Sequence, residues 1–177
     1  SGCQPLEVAF SNTSQGATSY SWNFNDGPLS TSTNETHVFG NNTIFNLPYN
    51  VVLTAINEFG CTNTQSSVVT VLGGAVANFE IANNELGCST APVEFNNLSL
   101  GASSYSWNFG DGTTSIVEDP NHAYNNNSGF LWWYDVTLVA YSSGGCLDTA
   151  TLGLPIYPIL DIQLPFTSLE GCSPFSA

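Results

Sequence analysis

The chain has 177 residues, among them 14 Asp or Glu, two His and no Lys or Arg, so its formal net charge at pH 7 is −14. Because neutralising phosphate requires Lys or Arg, this composition excludes nucleic acid as a partner and argues against binding to an anionic membrane surface. The hydrophobic fraction of 42% is that of a folding chain and not of a disordered acidic tail. No apolar run is long enough for direct insertion into a membrane.

The predicted elements are all strands, because apolar residues alternate with polar ones and no stretch keeps an apolar stripe of helical period. Turns rich in Gly, Asn and Asp separate these runs, which is typical of antiparallel β-sandwiches. In chain order the alternating apolar positions are Val8 and Phe10; Tyr20, Trp22 and Phe24; Val51, Leu53 and Ala55; Val69 and Val71; Val93 and Phe95; Tyr105, Trp107 and Phe109; and Val136, Leu138 and Ala140.

The order of these elements repeats with a period of 85 residues. Residues 16–27 return with few changes as residues 101–112, and self-similarity on this scale indicates an array of small domains. We assign residues 1–72 to repeat one, which lacks its first strand, and residues 73–154 to repeat two, which is complete. Residues 155–177 are expected to form the first strand of a third repeat, and both ends of the chain are expected to be cuts through a longer array.

The five cysteines follow the same period. Cys3 and Cys61 lie 58 positions apart, as do Cys88 and Cys146 at the matching places of repeat two. Zinc sites use more closely spaced ligands, so the spacing favours one disulfide within each repeat, Cys3–Cys61 and Cys88–Cys146. Cys172 would then pair beyond the end of this chain. Disulfides indicate an oxidising, extracytoplasmic setting.

The turn after the second strand carries a recognisable motif. Residues 22–27 read Trp-Asn-Phe-Asn-Asp-Gly and residues 107–113 read Trp-Asn-Phe-Gly-Asp-Gly-Thr, which resembles the W-D-F-G-D-G-T signature of the PKD (polycystic kidney disease) domain. The pattern that follows it in that family, a His and an aromatic residue before a Tyr-x-Val-x-Leu strand, is also present in both repeats: His37, Phe39 and Tyr49, and His122, Tyr124 and Tyr134.

The resemblance implies tandem immunoglobulin-like antiparallel β-sandwiches. The recurrence of His37 and His122 at the same place in both repeats favours a structural role for them. Asn25 stands where repeat two has Gly110, which predicts a distorted turn in repeat one. The Gly-Cys near each domain end is similar to the PKD repeats of large secreted proteins of Bacteroidetes, including SprB-like gliding adhesins.

The Asp-Gly turns are candidates for weak Ca²⁺ binding, and no other cofactor is expected. Asp26 in repeat one, and Asp111 with Glu118 and Asp119 in repeat two, could supply oxygen ligands. The alternative is that Asp and Gly are ordinary hairpin residues that tolerate a positive φ.

Two further candidates occur only in repeat two. Trp132 and Trp133 are adjacent, so in a strand they face opposite ways and cannot both enter one core. One of them could present a flat surface to a sugar ring or to a neighbouring repeat. Thr149, in Asp148-Thr149-Ala150, resembles an O-glycosylation acceptor of Bacteroidetes.

These features predict a non-catalytic extracellular segment of a long cell-surface adhesin or stalk, which extends, presents binding surfaces, bears mechanical load and takes part in gliding motility. Its partners would be neighbouring repeats of the same chain and a surface polysaccharide or substratum. No arrangement of residues suggests an enzyme. The alternatives are spacer or carbohydrate-binding modules of a secreted hydrolase, or a self-assembling surface fibre.

Overall fold

The computed structural model describes residues 1–82 and 90–159, and all regular structure in them is β-strand. The strands of repeat one are β1 (Leu6–Phe10), β2 (Ser19–Asn23), β3 (Glu35–Phe39), β4 (Leu47–Ile56) and β5 (Thr62–Val71). Those of repeat two are β6 (Phe79–Ile81), β7 (Pro92–Asn97), β8 (Ser104–Asn108), β9 (Thr114–Ser115), β10 (Asn121–Ala123), β11 (Trp132–Tyr141) and β12 (Leu147–Ile156).

Repeat two is a sandwich of two antiparallel sheets, with strand orders β10-β7-β6 and β12-β11-β8-β9. Val136, Leu138 and Ala140 of β11 are buried while the residues between them are not, as the two-residue alternation predicts. Trp107 lies at the centre of the core with no exposed surface. The predicted fold class, tandem immunoglobulin-like sandwiches, is therefore confirmed.

Repeat one has the same plan with one strand fewer in the described residues. Its sheets are β1-β3 and β2-β4-β5, so β1 has a neighbour on one side only, whereas the equivalent β7 lies between β10 and β6. The buried core of repeat one is accordingly smaller and is built around Trp22, Phe24 and Phe39.

The last strand of repeat two extends past the expected boundary at Leu154. Ile156 ends β12 and is fully buried in the repeat-two core. Most of the predicted strand of a third repeat, residues 155–177, lies outside the described residues. Cys172 lies outside them as well.

The expected distortion of the Asn25 turn is wrong. Asn25 adopts φ +64° and Gly110 adopts φ +81°, which is the same left-handed region, and Asn enters this region more readily than most residues. In both turns the Asn two positions earlier accepts a hydrogen bond from this backbone N–H at 2.9 Å, from Asn25 to Asn23 and from Gly110 to Asn108. The two hairpins therefore start alike despite the different residue.

Candidate functional site

The single disulfide in the described residues joins the two repeats. Cys3, just before β1, is bonded to Cys146, in the turn before β12, with a Cα–Cα distance of 5.5 Å and a sequence separation of 143. The predicted pairings Cys3–Cys61 and Cys88–Cys146 are therefore wrong. Cys61 is a free, exposed thiol, and Cys88 lies outside the described residues.

The reason lies in the length of the sandwich. Gly2 pairs with Val71 at the end of β5, while Cys61 lies just before the start of that strand. A strand of 10 residues spans about 30 Å, whereas a disulfide needs Cα atoms closer than about 7 Å. Cys3 and Cys61 thus lie at opposite ends of repeat one. The turn before β12 in repeat two, which carries Cys146, lies next to Cys3 instead.

Backbone contacts hold the linker between the repeats in place. The Gly74 N–H donates to the Thr43 carbonyl at 3.0 Å, and the Ala77 N–H donates to Oδ2 of Asp148 at 2.9 Å. Between these points Val76 and Leu100 exchange two backbone hydrogen bonds at 2.9 Å. The linker is therefore bonded to repeat one, to the loop after β7 and to the start of β12 beside the disulfide.

Two glycines allow the repeats to approach closely. Gly101 has φ +69°, and a Cβ there would lie 2.8 Å from the Ile44 side chain and 2.9 Å from the Gly74 carbonyl oxygen. A Cβ on Gly144 would lie 3.1 Å from Leu72. Sequence reasoning identified none of these junction residues, because Gly101 looks like an ordinary turn glycine, as its counterpart Gly16 is.

Each histidine is hydrogen-bonded to the aspartate of the motif turn. His37 Nε2 lies 2.8 Å from Asp26 Oδ2, and His122 Nε2 lies 2.7 Å from Asp111 Oδ2. The His122 ring also stacks on Phe109, with ring centroids 4.2 Å apart. The pair links the turn after β8 to β10, so these carboxylates and imidazoles are parts of the fold.

The environment of Asp111 makes this link sensitive to acid. Partial burial acts to raise the pKa of Asp111, but hydrogen bonds from Thr113 and His122 outweigh it and hold the pKa below the usual value. A carboxyl whose pKa is lower in the folded chain stabilises the fold above its unfolded pKa of about 3.9. This contribution is lost as the pH falls through the lower, folded-state pKa.

Asp111→Asn is therefore expected to weaken the acid sensitivity of repeat two. The melting temperature of the wild-type chain should fall as the pH drops from about 4 towards 2, and that of the variant should fall less over the same window. Thermal unfolding across this range checks it, with Glu58→Gln as the control because Glu58 is exposed and outside the motif turn. If the melting temperatures of D111N and the wild type fell equally with pH, the assignment of this acid sensitivity to Asp111 would be contradicted.

The other Ca²⁺ candidates each have a separate partner. Glu118 Oε1 accepts a hydrogen bond from the Tyr105 hydroxyl at 3.4 Å, and Asp119 Oδ1 accepts one from the Asn97 backbone N–H at 2.8 Å. Within residues 1–82 and 90–159 no three His, Cys, Asp or Glu side chains are close enough to hold a metal ion together.

The tryptophan pair lies at the end of repeat two where β12 ends, with Trp132 opposite Ile156. Trp132 and Trp133 are 55% and 60% exposed, and Phe130 beside them is 76% exposed. Trp133 lies over Gly153, where a Cβ would be 3.5 Å from the indole ring. Thr149 is exposed on β12. The part of the chain that the structure describes contains no helix long and apolar enough to span a membrane.

Comparison with known proteins adds a family and several solved structures. A family model described as PKD domain matches residues 2–71 and 78–155. The PKD1 domain of the Vibrio cholerae metalloprotease PrtV is 28% identical, with 48% of this chain and 98% of that chain covered and a TM-score of 0.40. The PKD1 domain of Vibrio anguillarum Epp is also 28% identical, with 49% and 96% covered and a TM-score of 0.40.

A more distant similarity spans both repeats. The amphioxus IgVJ-C2 molecule is 10% identical, with 87% of this chain and 99% of that chain covered and a TM-score of 0.35. No curated protein matches the chain.

Proposed function

The chain belongs to the PKD domain family, and from this premise we propose that it is a force-transmitting segment of a cell-surface adhesin or stalk that serves in gliding motility. Repeats of this family are extracellular adhesion or spacer modules and are typically non-catalytic. In the proposed role the repeats hold a binding surface away from the cell and transmit force along the chain.

The observation that carries the proposal is the disulfide across the junction. A bond from Cys3 to Cys146 ties the start of repeat one to the last turn of repeat two. Force that enters near Cys3 can then pass directly to Cys146 and into β12, without passing through the strands between the two cysteines. A disulfide within each repeat would protect the repeats separately but would leave the linker between them unprotected.

Charge and exposed aromatic surface support the same role. A net charge of −14 with no Lys or Arg disfavours collapse of successive repeats onto one another, and it leaves no trypsin cleavage site. Trp132 and Trp133 offer aromatic faces at the end of repeat two, and in the proposed function they contact a surface polysaccharide or the next repeat.

A paired glycine substitution tests whether the junction is held rigidly. Gly101 and Gly16 are equivalent and have φ +69° and +74°, but a Cβ on Gly16 meets nothing within 4 Å whereas one on Gly101 meets repeat one. Both Ala variants carry a backbone penalty of about 1 kcal/mol. Only Gly101→Ala should also broaden the distribution of distances between spin labels placed on the two repeats. Equal broadening in the two variants would contradict a tightly packed junction.

A further inference from the structure

An aromatic side chain and a carboxylate lie side by side on the outer face of repeat two. Trp133 and Asp135 are two residues apart on β11, so their side chains lie on the same face of the sheet. This face points away from the core, because the next residue, Val136, is fully buried. Asp135 is paired with Gly153 on β12, which places a residue without a side chain beside both groups.

The glycine leaves a notch between the indole ring and the carboxylate. A Cβ on Gly153 would lie 3.5 Å from the Trp133 ring and 3.9 Å from Oδ1 of Asp135. A small group bound at this point would therefore touch an aromatic ring and a carboxylate oxygen at the same time. Gly153 has no positive φ, so the backbone does not require a glycine there, and what the glycine provides is space.

The fold itself does not use either group. Trp133 is mostly exposed, and in the described part of the chain the Asp135 carboxylate has no hydrogen bond or ion pair. Asp111 in the motif turn is different, because His122 is bonded to it. The Asp135 backbone is nevertheless held in place, since Gly110 packs so closely on it that a Cβ would lie 2.8 Å from the Asp135 carbonyl oxygen.

Repeat one lacks this notch and shows that a following repeat does not cover the same face. The positions equivalent to the tryptophan, the aspartate and the glycine hold Pro48, Asn50 and Val68. All three are exposed although repeat two follows them in the chain. The notch is therefore particular to repeat two, and a neighbouring repeat leaves it accessible.

The charge of the chain identifies the kind of group that fits. An exposed tryptophan beside a free carboxylate attracts a guanidinium or an ammonium group. The chain has no Lys or Arg, and its net charge is −14, so it cannot supply this cation itself. Its two histidines are already bonded to the motif aspartates. The complementary group must therefore come from a partner of opposite charge, which the field of the chain attracts.

We propose that the notch between Trp133 and Asp135 binds an arginine side chain of a basic partner protein. The planar guanidinium stacks on the indole ring and donates two hydrogen bonds to the carboxylate, whereas the ammonium of lysine is a point charge that cannot do both. The inference goes beyond the proposed function, because it gives Trp133 a protein partner and leaves the polysaccharide contact to Trp132. Its failure would leave the mechanical role untouched.

Titration of the isotopically labelled full chain with a synthetic peptide of alternating arginine and serine tests the site by nuclear magnetic resonance. The indole N–H signal of Trp133, identified by its absence from the spectrum of Trp133→Ala, should shift and saturate, while that of the buried Trp107 should not. Replacing each arginine by citrulline, which has the same shape and no charge, should weaken binding by about tenfold or more. No shift at Trp133, or equal affinity of the two peptides, would overturn the proposal.

Charge-matched variants separate the notch from a general attraction of the peptide to an acidic chain. Asp135→Asn and Glu58→Gln each remove one negative charge from an exposed residue, but only Asp135 lies at the notch. D135N should weaken binding by about threefold to tenfold, and E58Q by less than about twofold. W133A leaves the charge unchanged and should weaken binding as D135N does. Equal losses for D135N and E58Q would show general attraction only and would overturn the proposal.

Filling the notch tests its shape without removing either contact group. Gly153→Val places in repeat two the residue that repeat one has as Val68, and valine suits a strand. The variant should fold normally and bind the arginine peptide as weakly as W133A does. Unchanged affinity would contradict the notch. A lysine peptide or an amino-sugar oligomer that binds as tightly as the arginine peptide would overturn the assignment to arginine, as would a neutral oligosaccharide that alone shifts the Trp133 signal.

Discussion

Stretching the oxidised chain by its two ends is expected to release only residues outside the disulfide loop, chiefly β12 (Leu147–Ile156), and none of the other strands of either sandwich. The Cys3–Cys146 bond closes a loop with a sequence separation of 143, which corresponds to about 500 Å of extended chain. While the bond is intact its two ends stay together, so unfolding inside the loop adds nothing to the end-to-end distance. After reduction the same pull should release about 500 Å in one or two steps.

Optical tweezers with handles joined enzymatically to the two termini can make this measurement without using the cysteines. Cys3→Ser in oxidising buffer should behave like the reduced wild type, while Cys61→Ser should behave like the oxidised wild type because Cys61 is a free thiol. Release of about 500 Å from the oxidised wild-type chain would contradict the presence of the Cys3–Cys146 bond.

Replacing Trp107 by alanine is expected to destabilise repeat two by about 3–5 kcal/mol. Its ring is fully buried among Phe79, Phe95 and Phe109, and its indole N–H donates to the Val117 carbonyl at 2.9 Å. The variant therefore loses buried apolar area, leaves a cavity and leaves a carbonyl without this donor. Chemical denaturation followed by circular dichroism measures the loss.

Two further tryptophans serve as matched controls for this prediction. Trp22→Ala should cost repeat one less than W107A costs repeat two, because Trp22 lines a surface groove of about 240 Å³ and its site can be hydrated. Trp133→Ala should cost less than about 1 kcal/mol, since most of this side chain is already exposed. A smaller loss for W107A than for W133A would contradict the assignment of Trp107 to the core.

Most of the fold could be predicted from the sequence, because each strand of a sandwich alternates buried and exposed positions and this pattern is visible in neighbouring residues. Alternation at Val136, Leu138 and Ala140 identifies which face is buried, and the adjacent Trp132 and Trp133 do point to different sides of β11. The Asn25 turn misled the prediction, since Asn and Gly can share one left-handed conformation and the sequence alone does not show which one the turn adopts.

The disulfide could not be predicted, because the period that revealed the array does not define the pairing. Two cysteines per repeat fit pairing within a repeat and pairing between successive repeats equally well, with the same spacing in every copy. Choosing between them requires knowing that Cys3 and Cys61 lie at opposite ends of a strand of 10 residues.

The junction disulfide, on which the proposed mechanical role rests, is tested most directly by peptide mapping without reduction. With no Lys or Arg in the chain, trypsin cannot be used, but cleavage after glutamate places each cysteine in a different peptide. Residues 1–7, which contain Cys3, should be linked to residues 119–170, which contain Cys146, and Cys61 should react with an alkylating reagent in the folded chain. A link between residues 1–7 and residues 59–80, which contain Cys61, would contradict the account.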